Sequence, residues 1–344
     1  MLPPPRLSIC IPTFDRPRSL SNCLNSILIA SKQSMLEIEI CISDNSASRE
    51  SEAIAMQFAD ELSIRYSRNE KNLGFAGNFV RSVELANGEF VWLIGDDDLL
   101  LPNSLANFAK LRCLNPEVDF FFINAFQLDY NFLECQSHPF DTRLLPQSMK
   151  LFSEYRHSHQ LPFYELIDYK KSFDFLGGMF LSIFRRDYWL EKVDCLNYKV
   201  SDSSIVFSSL DTTFPHSKIF ANAFMGRKAY FNADPLVVAV SGLRTWSEFY
   251  PIVRSFRLID LLDEYRKNGL GYLQYYKNKN ASLKFLAYDL AYYYLKRDFR
   301  YPKILMRSHI HLFFTYPNAA LSIARAIVGR IRKLVRILIS KFLE

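Results

Sequence analysis

Three consecutive carboxylates close an apolar run in this chain, Phe90-Val91-Trp92-Leu93-Ile94-Gly95-Asp96-Asp97-Asp98. Like charges packed this tightly repel one another, so the end of a buried strand tolerates them mainly when something cationic sits between them. A hard divalent ion suits, because magnesium and manganese are held through one or two carboxylates while substrate phosphates and waters complete the shell. The ligand implied is then a phosphorylated one. The alternative is a solvated acidic turn leading to the helix expected after Pro102, since carboxylates favour helix N-termini.

The residues before the triplet predict the frame that positions it. Leu7-Ser8-Ile9-Cys10-Ile11 reads as a short apolar strand, closed by Pro12-Thr13-Phe14-Asp15-Arg16. A helix follows, with Leu20, Cys23, Leu24, Ile27 and Leu28 on one face. Ile38 to Ile42 forms a second strand that ends in Ser43-Asp44-Asn45-Ser46. Strand, helix, strand predicts a parallel pair with a crossover. Ile64 to Arg68 is a third strand, and the loop Asn69 to Asn78 leads into a helix with Phe79 and Val83 facing inward. The expected fold is α/β, a doubly wound, mostly parallel sheet whose polar strand ends face one cleft. The Gly-x-Gly-x-x-Gly and Gly-x-x-x-x-Gly-Lys fingerprints are missing here, which argues against hydride transfer and ATP hydrolysis.

Five motifs in order resemble the family-2 inverting glycosyltransferases of GT-A fold, and within them the bacterial O-antigen transferases of abequosyltransferase type. They are Ile11-Pro12-Thr13-Phe14-Asp15-Arg16, Ile42-Ser43-Asp44-Asn45-Ser46, Asn72-Leu73-Gly74 with Asn78, Ala86-Asn87-Gly88-Glu89-Phe90, and Asp96-Asp97-Asp98. The likeness is specific over residues 7 to about 110, thinner to about 245 and weak beyond. It implies that Pro12, Thr13 and Asp15 cradle the nucleotide base, that Asp44 contacts the base ring and that Asn72 lines the nucleotide. It places the Asp-x-Asp element on Asp96 and Asp98 as metal ligands, for Mg2+ or Mn2+, with Asp96 and Asp97 also on the nucleotide sugar. Which pair meets ribose and which meets metal stays open. Asp44 also fits an Asx-turn at a strand end, and Asn72 and Asn78 fit plain turn and capping residues. Arg16 and Arg68 either face the diphosphate or are solvated.

Further along, Val118 to Asn124 reads as another buried strand, and Met179 to Arg186 as one preceded by Gly177-Gly178. Two glycines let a backbone approach a ligand closely, and in the resembled family this segment lies by the acceptor; a strand bulge is the other reading. His138, His157 and His159 have no ligand spacing. Inversion at a sugar carbon needs a side chain that takes a proton from the acceptor hydroxyl. Asp211-Thr212-Thr213-Phe214-Pro215-His216 is the place to look, because Pro215 pre-sets a helical first turn. His216 is then base, metal ligand or diphosphate contact, and Asp211 and Asp202 are the carboxylate candidates, with helix capping as the alternative for both.

The chain of 344 residues, 49% hydrophobic with a formal charge of +6, excludes disorder and allows one catalytic domain with a smaller appendage. The expected division is 1–250 catalytic, comprising a nucleotide-sugar half (1–110) and an acceptor half (111–250), with a helical extension over 251–344. Six cysteines lack metal-ligand spacing, and Cys10, Cys23 and Cys41 fall on apolar faces. A reducing cytoplasm is expected, with no secretory leader and no run of the roughly 18 apolar residues that span a bilayer.

From Asn318 to Phe342 a helix is predicted whose stripe of Leu321, Ala324, Ile327, Val328 and Ile331 is accompanied by Arg325, Arg330, Arg332, Lys333, Arg336 and Lys341. Such a helix lies in the headgroups of an anionic membrane; docking on the catalytic domain, or on a second subunit in a homo-oligomer, is the alternative. Nucleic acid is not expected, for want of a recognisable binding fold. The function expected is transfer of a sugar, with inversion, from a nucleoside-diphosphate sugar to a saccharide acceptor, lipid-linked, on the inner face of the cytoplasmic membrane in surface-polysaccharide synthesis. A membrane-associated module that binds sugar nucleotide or glycan without turnover is the alternative.

Overall fold

A computed structural model describes residues 7–197, 207–242, 249–296 and 309–343, without side chains at 294–296 and 331–343. The N-terminal strands are β1 (Leu7–Thr13), β2 (Ile38–Asp44), β3 (Ile64–Arg68) and β4 (Phe90–Leu93). They alternate with helices α1 (Pro17–Ser31), α2 (Glu50–Gln57) and α3 (Gly74–Glu84). β1 pairs in parallel with both β2 and β4, and β2 with β3, so all four strands end on the same side. Every residue of β1 is buried, as expected of a strand covered on both faces by crossover helices. The predicted inner face of α1 is the observed one, with Leu20, Cys23, Leu24 and Ile27 fully buried.

The sheet continues through β5 (Leu99–Leu100), β6 (Phe120–Asp129), β7 (Lys150–Leu151), β8 (His159–Pro162), β9 (Ser182–Arg185) and β10 (Lys228–Ser241). Its order is β3-β2-β1-β4-β9-β6-β10-β5, with β7 on β6 and β8 on β10. β9 inserts between β4 and β6, antiparallel to both, and makes the sheet mixed. Helix α4 (Ser104–Leu114) follows the triplet as predicted after Pro102.

β10 escapes the sequence pattern, as do the short strands β5, β7 and β8. β10 is the longest in the chain and pairs along β6, yet Pro235 interrupts it and the register shifts between Asn232 and Val237. Proline cannot donate to a ladder, so it is accommodated at this irregularity and hides the strand's period from a sequence reading.

The largest core cluster runs from β1 through β10 and includes Leu258, Leu261, Leu262 and Tyr265 of the Leu258–Lys267 helix. A second cluster joins Phe256, Ile259, Leu286, Leu312, Tyr316 and Ala319. The first turns of the Pro317–Leu343 helix therefore pack, with Ala319 and Ser322 buried, while Leu321, Ile327 and Val328 are about half exposed at 53%, 55% and 45%. No helix among the described residues is long and apolar enough to cross a membrane.

Candidate functional site

The parallel strand ends converge as the alternation of strand and helix requires. At the end of β1, Thr13 donates its Oγ1 hydrogen to Asp96 Oδ2 at 2.7 Å. Asp15 adopts φ +52°, a left-handed conformation that aspartate tolerates better than most residues, and donates its amide to Ser46 Oγ at 2.7 Å. That turn aims Arg16, just before Pro17 opens α1, at the triplet. Arg16 Nη1 lies 3.4 Å from Asp96 Oδ1 and 3.2 Å from Asp97 Oδ2. The cation between two of the three acids in this structure is thus a guanidinium.

Arg16 does not relieve all of the repulsion. Burial, and then the charge of Asp97, push the Asp96 carboxyl up to about 7 against the opposing pull of Arg16. Asp98 is turned inward, with Oδ2 accepting from the Gly95 amide at 2.7 Å. The glycine leaves room for these side-chain ends: a Cβ on Gly95 would lie 2.7 Å from Asp97 Oδ1, 3.0 Å from Asp98 Oδ2 and 3.2 Å from Met179 Cε, and would push them aside. Among the described residues no three His, Cys, Asp or Glu side chains are already grouped around one metal position. Carboxylate oxygens at Asp96 and Asp98, one of them oriented by a backbone amide, fit a hard cation that takes the rest of its shell from phosphate and water.

Asp44, at the end of β2, is fully buried; Oδ1 accepts from the Ser46 amide at 2.7 Å and Oδ2 from the Tyr66 hydroxyl. The Asx-turn is therefore present. Asparagines tie the neighbouring loops together. Asn45 Nδ2 donates to Asn72 Oδ1 at 3.0 Å, Asn69 Nδ2 to Asn45 Oδ1 at 2.8 Å, and Asn78 Nδ2 to the Thr13 carbonyl at 3.0 Å. Asn72 Oδ1 also accepts from the Gly74 amide at 2.8 Å, where φ is +71° and α3 begins. Arg68 donates to the Ala47 carbonyl at 3.1 Å. Pro12 is buried within β1.

The opposite wall is a strained loop. Phe175 and Leu176 both take positive φ, +54° and +69°, and both are fully buried. Bulky residues adopt that conformation only where their surroundings over-determine it. Here the Tyr265 hydroxyl donates to the Phe175 carbonyl at 3.0 Å, and Ser217 Oγ to the Leu176 carbonyl at 2.7 Å. His216 Nε2 donates to the Gly177 carbonyl at 3.0 Å. A Cβ on Gly177 would lie 2.7 Å from the Phe214 ring, so the glycine lets the Pro215–Ala223 helix approach. Met179, just beyond, reaches Gly95 and joins this loop to the triplet.

His216 is 2% exposed, and burial pushes it down to about 4. A carbonyl only accepts, so Nε2 carries the hydrogen and the buried Nδ1, which has no hydrogen-bond partner, carries a lone pair. Asp211 lies in the Leu210–Thr213 helix, which packs on α3, and its Oδ1 meets Lys218 Nζ at 2.5 Å. Ser209, rather than Asp211, caps that helix. Asp202 lies outside the described residues. Sequence reasoning passed over Asp174, whose carboxyl is pushed up by burial and accepts from Ser172 Oγ at 2.6 Å. Its position three residues before Gly177 was the available signal.

Residues 8–173 match the family model for glycosyl transferase family 2. They form a family 2 glycosyltransferase domain. The family 2 domain holds the triplet, all the β1 to β3 strand-end residues and Asn72, while Gly177, Asp211 and His216 fall beyond the matched residues. The chain is 44% identical over 102 residues to abequosyltransferase RfbV of Salmonella typhimurium, which covers 29% of this chain and 30% of that protein. It is 33% identical over 108 residues to the GalNAc(5)-diNAcBac-PP-undecaprenol beta-1,3-glucosyltransferase of Campylobacter jejuni, 31% and 34% of the two lengths. The aligned stretches thus span about a third of these curated relatives. Among solved structures, S. aureus TarS 1-349 in complex with UDP superposes with a TM-score of 0.52 at 16% identity, covering 81% of this chain and 71% of that one. That likeness bears on the fold, a GT-A sheet with flanking helices.

Proposed function

We propose that the chain transfers a sugar from a nucleoside-diphosphate sugar to a saccharide acceptor, with inversion at the sugar carbon. The observation that carries the reading is Asp96, a buried carboxylate short of positive charge where four strand ends meet, with Arg16 beside it. The base and ribose of the donor lie along Pro12, Thr13, Asp15, Asp44 and Asn72. Asp96 and Asp98 hold Mg2+ or Mn2+, with Asp97 and Arg16 flanking the phosphates. Such an ion supplies positive charge to the departing nucleoside diphosphate. The strained loop presents Gly177 and Gly178 to the acceptor.

Asp211 is the base in this reading: it takes the proton of the acceptor hydroxyl as that oxygen attacks the anomeric carbon and the diphosphate leaves with the bonding electrons. His216 is a positioning residue, because a neutral imidazole whose hydrogen is held by Gly177 is a poor proton acceptor near neutral pH. The two named bacterial relatives support sugar transfer, in this reading within surface-polysaccharide synthesis, and the undecaprenol-linked acceptor in the name of the second supports a lipid-linked acceptor here. The half-exposed Leu321, Ile327 and Val328, beside Arg325 and Arg330, support attachment to an anionic membrane surface. Six free cysteines support its cytoplasmic face.

A screen of nucleoside-diphosphate sugars, with manganese added and an undecaprenyl-linked saccharide as acceptor, tests the reading. Metal-dependent transfer of one sugar class is expected, lost on adding chelator. Donor binding with no turnover on any acceptor would leave a non-catalytic sugar-nucleotide-binding module instead.

A further inference from the structure

A second charged recess lies away from the triplet, between the Leu283–Phe285 turn with its following helix and the first turns of the Pro317–Leu343 helix. Its volume is about 200 Å³, and Arg254, Lys284, Phe285, Tyr288 and Arg325 line it. That is smaller than the roughly 300 Å³ at which drug-sized ligand sites begin, and suits a phosphoryl group better than a sugar nucleotide.

The charges in it are not equivalent. Arg254 is matched, since its Nη2 lies 2.5 Å from Oδ1 of the fully buried Asp289 and its Nε donates to Oδ2 at 3.1 Å. Fixed in this way, the guanidinium lies over the Phe285 ring, 4.3 Å from its centre. Arg325 donates only to neutral acceptors, the Lys284 carbonyl at 3.4 Å and Asn318 Oδ1 at 3.2 Å. Among the described residues neither Lys284 nor Arg325 has a carboxylate partner. Two unmatched cations therefore converge on a recess whose third cation is held in place. The Ser322 hydroxyl, between them, is already used by the Ala287 amide and the Ala319 carbonyl.

The neighbours of Arg325 specify the source of the anion. Positions i−4 and i+3 from it are Leu321 and Val328, on the same side of the helix and about half exposed. An anion bound at Arg325 would have apolar surface directly beside it. We propose that this recess binds the phosphate headgroup of a lipid, the acyl or prenyl chain lying against Leu321 and Val328. The inference rests on the membrane-surface part of the function proposed above, and is independent of catalysis.

The full chain is tested by sedimentation with phosphatidylcholine vesicles containing phosphatidic acid. Binding should weaken by about tenfold or more in the K284Q/R325Q double variant, the scale expected for two surface cations. The charge-matched R143Q/R156Q variant, on exposed residues outside the recess, should bind as the parent does. Thermal melting and nucleotide-sugar binding should be unchanged in both. Lys284→Gln alone alters an exposed side chain and should still show a loss should the double variant misfold. Equal binding by parent and double variant, or an equal loss in R143Q/R156Q, overturns the recess while leaving membrane attachment in place. No vesicle binding by the parent overturns both. Inorganic pyrophosphate bound in solution as tightly as the vesicles would show a site for free phosphate and sink the lipid assignment.

Discussion

The two walls of the candidate site are made in different ways. The proposed donor wall is a set of polar residues at or just beyond the ends of regular parallel strands: Thr13 ends β1, Asp44 ends β2 and Asp96 follows β4. Its geometry follows from strand periodicity and short loops, and its tension is electrostatic, shown by the Asp96 carboxyl raised by burial beside Asp97. The wall proposed for the acceptor has its tension in the backbone. Phe175 and Leu176 are held at positive φ by hydroxyls from Ser217 and Tyr265, in helices that lie more than 40 residues further on. Charge can be answered by a ligand, whereas backbone strain has to be answered by packing. The donor wall should therefore respond to ligands and metal, and the acceptor wall to mutations that loosen its clamp.

The sharpest test is Asp96→Asn. Removing the charge from the donor wall should lower transfer by about 1000-fold and remove its dependence on added metal, while melting changes little. Parent activity that persists in excess chelator would instead assign the cationic role to Arg16 alone. Next is Asp211→Asn, which should cost about 100-fold in kcat with the donor KM unchanged, because in the proposed mechanism Asp211 takes the acceptor's proton and leaves donor binding alone. A change confined to donor KM would move Asp211 to the other wall.

The third prediction concerns pH. His216 is held well below its ordinary value in the folded chain, so the unfolded chain binds more protons between about pH 6.5 and 4. As pH drops through that window this histidine alone should cost about 3 kcal/mol, opposed by Asp96, which the folded chain protonates from about 7. In His216→Asn stability relative to the parent should rise by that amount as pH falls from about 6.5 to 4, as read from denaturant midpoints. A slope unchanged in the variant would show that the imidazole is not held neutral. The smallest effect is expected from Ser217→Ala, which leaves the Leu176 carbonyl without its hydroxyl donor. About 1–2 kcal/mol of stability should be lost, with a raised acceptor KM and an unaltered donor KM. Equal changes in both KM values would mean that the walls are not separable.

Much of the donor wall was legible because its signals are local. The strand Ile64–Arg68 has the predicted ends, and the inward faces of α1 and α3 are those read from helical spacing. The sequence leaves Arg16 between diphosphate and solvent, and the turn at Asp15 decides where the side chain goes. The acceptor wall was less legible. Phe175 and Leu176 are apolar and give no sign of positive φ, and Asp174 is marked in the sequence only by its place three residues before Gly177. Likewise, the terminal helix was predicted within a residue of each observed end, but the burial of Ala319 and Ser322 was not.

By itself, the sequence determined the alternation of strand and helix, the polar residues at the parallel strand ends and the basic, apolar-striped terminal helix. Each of these depends on periodicity and on charges a few residues apart. Only the tertiary structure decided that β9 runs antiparallel between β4 and β6, that β10 continues through Pro235, and that His216 faces the Gly177 carbonyl rather than a carboxylate. Those choices depend on partners tens of residues away, whose contacts outweigh local propensity because burial and buried hydrogen bonds act on whichever groups the folded chain brings together.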